Sequence, residues 1–193
     1  MFNFSLTNQI ILLAILLIVS AFFSISETSL MSLNRYRLKH LAKSGNTGAK
    51  LASELLQETD KLLSVILLCN NFSNAAAATL VTVIAVQLYG NQEIIIMIGT
   101  LITTFLILIF SEISPKVIAA AHPEKLALSC SYILHPLLKI FYPIVLFVNI
   151  FVLGILKIFN IKINFTQKNV ITMDELKSII SDSGKFIPNK NKS

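Results

Sequence analysis

The sequence predicts an all-α membrane protein. Three transmembrane helices are expected, with a re-entrant or juxtamembrane helical hairpin and amphipathic helices at the membrane surface. Two observations carry this. Hydrophobic residues make up 54% of the 193 positions and charged residues only 13%, against about 25% charged in a soluble domain. Charge is also missing over long runs: Met1 to Ser26, Leu62 to Gln92, Ile94 to Ser111, Leu126 to Leu138 and Ile140 to Leu156.

The first three runs reach the roughly 18 residues that cross a bilayer as helix. The last two are shorter, and Pro136 and Pro143 lie near their junction. They are read as a hairpin entering the membrane from one side, with a tilted fourth span as the alternative. Ser24-Ile25-Ser26 mimics a signal-peptide cleavage site, but no Lys or Arg precedes Arg35. Without a positive n-region the first run is read as a retained span.

Orientation follows from the loops. Asn34 to Lys61 holds Arg35, Arg37, Lys39, Lys43, Lys50 and Lys61, whereas Tyr89 to Glu93 has no basic residue. The positive-inside rule then predicts a multi-pass protein of the cell membrane, N-terminus outside and C-terminus cytoplasmic. The net charge of +6 falls where anionic lipid headgroups lie, so no nucleic-acid partner is expected. Cys69 and Cys130 sit in apolar runs and read as small buried hydrophobes.

In "NRYRLKHLAKSGNTGAKLASELLQETDK" apolar and basic residues recur at helical spacing on either side of Gly45-Asn46-Thr47-Gly48. Two short helices are expected, with Leu38, Leu41 and Ala42 on one apolar face. The domain boundary is placed at 160, leaving 161–193 as an acidic helix starting near Thr172 and a disordered polar tail.

Polar groups inside the spans carry the chemistry, because they are costly there unless they face a partner or cavity. Ser20 and Ser24 lie four apart on one face of the first span, as do Asn70 and Asn74 on the second. The third span holds Glu112. Ser24 lies 11 residues before Arg35, Asn70 lies 9 after Lys61, and Glu112 lies 10 before His122. Each separation is about 15 Å of helix, so the three clusters share one depth near the bilayer midplane. Hydroxyls, amide oxygens and one carboxylate suit a hard cation such as Mg²⁺, Ca²⁺ or Na⁺, not Zn²⁺ or copper. Pro115 adds a dipole: it has no N–H for the Ser111 carbonyl four residues earlier, beside Glu112. Lys116, four residues after Glu112, is expected as its ion-pair partner or as a stand-in for the cation. The plain alternative for each Ser and Asn is interhelical packing.

These residues resemble the CorC/HlyC and cyclin M (CNNM) family of membrane magnesium transporters. The blocks "SAFFSISETSLMSLNRYRLKHL", "LLSVILLCNNFSNAAAATL" and "SEISPKVIAAAHPEKLAL" stand where family members look like FFS-x-x-E-T-A, GNN-x-x-N and GE-x-x-PK. The resemblance implies a homodimer that binds dehydrated Mg²⁺ midway through the membrane and exports it in a Na⁺-linked cycle. It makes Ser20, Ser24, Asn70 and Glu112 ligands, with Asn74 a ligand or a support for one, beside the Ser111 carbonyl that Pro115 leaves free. Cys69 and Ser111 stand where the family usually has glycine. The family's membrane domain is generally followed by a CBS pair that binds ATP–Mg²⁺; no such ATP-binding domain is expected within this chain.

Two other function classes compete. A non-transporting sensor or scaffold would use the cation for stability alone. An intramembrane serine hydrolase would pair Ser24 with His122 or His135, but no nucleophile elbow surrounds Ser24 and neither His has an orienting acid at that depth. No enzymatic activity is expected.

Overall fold

The structure is a computed structural model, and it describes residues 5–90 and 92–158. The described residues are helical and contain no strand. In chain order the helices are α1 (Leu6–Met31), α2 (Arg35–Lys43), α3 (Thr47–Leu55), α4 (Thr59–Tyr89), α5 (Glu93–Leu106), α6 (Ser114–Ala121) and α7 (Pro123–Ile158). A 3₁₀ turn (Leu56–Glu58) joins α3 to α4, and a π-helical stretch (Ile107–Ile113) joins α5 to α6. Three stretches are long and apolar enough to cross a membrane: Leu6–Met31, Thr47–Tyr89 and Glu93–Ala121.

Local chemistry explains the short helices between the first two spans. Asn34 caps α2 by accepting the N–H groups of Tyr36 and Arg37 at 3.0 and 3.2 Å, a strongly preferred N-cap arrangement. Gly45 follows at φ +95°, a left-handed position that suits glycine at a helix exit. Asn46 then caps α3 through the Ala49 N–H at 3.0 Å. Leu38 is buried, with Leu41 and Ala42 partly buried, so the expected apolar face of α2 is the one that packs. Gly48 is needed for a different reason. A Cβ there would stand 3.0 Å from the Leu128 carbonyl oxygen of α7.

The chain divides into two compact units, one ending at Asn149 and one beginning at Ile150. In the second, the described residues are the last turns of α7. The core of the first lies at its basic end. Leu30, Leu55, Leu62, Ile66, Ala127 and Leu134 are buried together there, with Phe141 packed against them. Toward the other end apolar side chains point outward: Ile10, Ile11 and Ile15 on α1, and Ile94, Leu101, Ile102 and Phe105 on α5 are exposed. An apolar surface on that scale belongs against lipid, since water would drive it to aggregate. The protein is a multi-pass membrane protein.

The expected hairpin is corrected. Residues 126–156 lie within one continuous helix, with Pro136 and Pro143 inside it. Each proline removes one backbone hydrogen bond, from the Tyr132 and Lys139 carbonyls. The residues between them, Leu137 to Tyr142, include no Gly or Asn to reverse the chain. Helices in apolar surroundings tolerate isolated prolines on those terms. The expected boundary at 160, the acidic helix and the polar tail lie outside the described residues.

Candidate cation site

Most hydroxyls in the spans are satisfied locally. Ser26, Ser73, Thr79, Thr82, Thr100 and Thr104 each donate to the carbonyl four residues earlier, at 2.8 to 3.1 Å. That back-bond is the ordinary resting place of a helical Ser or Thr. Ser20 and Ser24, one turn apart on α1, depart from it.

Ser20 reaches across to α4. Its Oγ lies 2.7 Å from Asn70 Oδ1 and 2.6 Å from Asn74 Oδ1. A hydroxyl carries one proton, so it serves only one of these acceptors at a time. Three oxygens therefore converge with a single proton among them, and a cation would supply what is missing. Asn74 then donates through Nδ2 to Glu112 Oε1 at 3.2 Å. One continuous chain, Ser20–Asn74–Glu112, links the three spans. Ser24 is wholly buried, and its Oγ has no hydrogen-bond partner. A buried hydroxyl left unpaired costs about 1–3 kcal/mol, so Ser24, one turn from Ser20, calls for an explanation.

Glu112 is delivered by the π-helical stretch. Its last bond runs from the Ser114 N–H to the Ile109 carbonyl, an offset of five. By that wide count the N–H missing from Pro115 belongs to Phe110's carbonyl; by the ordinary count of four it belongs to Ser111's. The proline sits where one register gives way to the other, and π-turns of this kind concentrate at functional sites. Ser111, in place of the family's usual glycine, is accommodated. It is fully buried, and its hydroxyl donates to the Leu17 carbonyl of α1 at 3.2 Å.

The structure thus joins Ser20, Asn70, Asn74 and Glu112 in one network, sets Ser111 beside α1, and buries Ser24 unpaired. Lys116 is a correction. Its Nζ pairs with Glu27 Oε2 of α1 at 3.4 Å, not with Glu112. Glu112 instead accepts from Asn74 Nδ2 of α4, and Lys116 reaches a carboxylate on another helix. Glu27 was missed by reasoning on deep polar residues, although it continues the spacing Ser20, Ser24, Glu27 along one helical face. Among the described residues no group of three or more His, Cys, Asp or Glu side chains is placed to hold a metal. The donor set is one carboxylate with neutral dipoles.

Fold and site together define a helical membrane domain with a partly buried, oxygen-lined polar cluster between its spans. Residues 11–189 match the family described as the cyclin M transmembrane N-terminal domain, and the chain belongs to that family. It is 48% identical over 96% of its length to a UPF0053 protein of Haemophilus influenzae, covering 43% of that relative. It is 39% identical over 90% of its length to the UPF0053 inner membrane protein YfjD of Escherichia coli, covering 40%. A polyamine export protein of Salmonella typhimurium is 27% identical over 90% of the chain, with 41% of that relative covered. The chain spans less than half the length of these curated relatives.

Proposed function

We propose that this domain is the core of a Mg²⁺ transporter, exporting the ion in a Na⁺-linked cycle through the Ser20–Asn70–Asn74–Glu112 cluster. The observation that carries the reading is the Ser24 hydroxyl, buried without a partner one turn from Ser20. In this reading Ser20 and Ser24 turn lone pairs to the ion, and Asn70 and Asn74 present their amide oxygens. Glu112 offsets half of a divalent charge. A carbonyl freed at the Pro115 register change, at Phe110 or Ser111, adds a dipole. Mg²⁺ dehydrates reluctantly, so ligands already assembled are what its binding requires. Alternating exposure of a site deep in the membrane then moves it across.

The family resemblance further supports a homodimer, and the positive-inside count supports the N-terminus outside. The name of the Escherichia coli relative supports an inner-membrane location.

The Salmonella typhimurium relative favours a second reading, in which the cargo is an organic polycation. The geometry favours the first. Ser20, Asn70, Asn74 and Glu112 gather oxygen donors within one hydrogen-bonded network, a donor set that supports a small hard cation.

Proteoliposomes carrying a Mg²⁺-sensitive dye test the proposal. Glu112→Gln is expected to abolish Mg²⁺ flux while the protein stays folded. Undiminished flux in that variant overturns the assignment. Cation-dependent stabilisation without any flux in the native protein supports a sensor or scaffold instead.

A further inference from the structure

We propose that Glu27, about 10 Å along α1 from Ser20 with the unpaired Ser24 between them, forms a second cation station held shut by the Lys116 ammonium. The inference rests on the transport reading only in taking the ligand to be a hard cation. Ser20, Ser24 and Glu27 follow one another at four and three residues along one face of α1. Ser20 belongs to the cluster already described, Ser24 is buried without a partner, and Glu27 is partly buried at 23% exposure. On the facing helix, Glu112 lies at the Ser20 level through Asn74, and Lys116 lies at the Glu27 level. The two helices therefore carry matched rungs, a carboxylate at each.

The rungs differ in how the carboxylate is balanced. Glu112 is met by a neutral amide, and Glu27 by an ammonium on the neighbouring helix. An ammonium can be exchanged for a metal ion on a carboxylate, and Lys116 has a long, flexible stem and is 43% exposed. At 3.4 Å the pair is longer than a tight charge-assisted hydrogen bond. Lys116 thus acts as a tethered competitor. A cation passing from Glu112 to Glu27 displaces it, and its return expels the cation.

The test follows Mg²⁺-dependent thermal stabilisation of the purified protein in detergent, where a ligand of the folded state raises the melting temperature. In a Glu112→Gln background, Lys116→Met is expected to produce a Mg²⁺-dependent shift that added Glu27→Gln removes. In the otherwise native protein, Lys116→Met lowers the half-saturating Mg²⁺ about tenfold, as expected if Lys116 holds Glu27 about nine-tenths of the time. Lys116→Arg keeps a competing cation, retains the native response, and controls for loss of folding.

No Mg²⁺ response in Lys116→Met/Glu112→Gln, with Lys116→Arg folded, overturns the station. So does a response that Glu27→Gln leaves intact. If Glu112→Gln alone keeps the full native response while the Glu27 and Lys116 variants behave as described, the station stands and the Glu112 assignment fails.

Discussion

Asn74 holds Glu112 with its amide nitrogen at 3.2 Å and Ser20 with its amide oxygen at 2.6 Å. One side chain on α4 therefore positions the carboxylate of the third span against the hydroxyl of the first. Asn74→Ala leaves Glu112 without that donor and Ser20 with one acceptor fewer. A hydrogen bond to a charged group is worth about 1.5–3 kcal/mol, so the Mg²⁺ needed for half-maximal flux should rise by about tenfold or more. Flux measured across a Mg²⁺ series checks this.

Ser24→Ala separates ligand binding from folding. An unpaired buried hydroxyl destabilises the empty protein by about 1–3 kcal/mol, so its removal should leave the melting temperature unchanged or raise it. Mg²⁺-dependent stabilisation should fall. If Ser24 were packing glue, the substitution would lower the melting temperature with Mg²⁺ absent and leave the Mg²⁺ response intact.

Pro115→Ala restores a backbone N–H at the register change. An ordinary α-helical path then competes with the π-turn, and Glu112 rotates relative to Asn74. Flux should drop at least tenfold with little loss of helix content. Circular dichroism and the flux assay distinguish this from unfolding.

Gly48→Leu tests the packing of α3 on α7. The first added carbon meets the Leu128 carbonyl oxygen at 3.0 Å and the Leu128 Cβ at 3.3 Å. Overpacking of that kind costs about 1–3 kcal/mol, and a lower melting temperature should show it. The same change at exposed Gly154 meets nothing within 4 Å and serves as the control.

What could be read from the sequence divides along physical lines. That Ser20, Asn70, Asn74 and Glu112 come together was legible because helical spacing and depth are nearly additive counts along the chain, and the π-turn in the third span shifts its count only slightly. The paired helices α2 and α3 were legible because Asn34, Gly45 and Asn46 are local signals. Lys116 was not, because the four-residue rule looks along one helix and its partner Glu27 lies on another; the π-turn beside Glu112 was not either. No sequence period announces such a turn, although the Glu112–Pro115 spacing is its nearest trace. The continuous α7 was obscured by two prolines that ordinarily end helices, in a setting where each removes only one bond. Glu27 was overlooked because it lies closer to the polar edge, where a carboxylate is unremarkable until its partner is seen on another helix.

The buried residues of α4 end at Ala77, twelve positions before the helix does, and α5 buries only Thr103. Those of α1, α4 and α7 crowd the basic end. Burial in this bundle is graded, dense below the Ser20–Asn74–Glu112 network and sparse above it. A scaffold packed mainly at one end behaves as a clasp: a change at the Glu112 level would be felt mainly by the far halves of α4 and α5, where parting the helices forfeits few protein contacts and lipid can replace them.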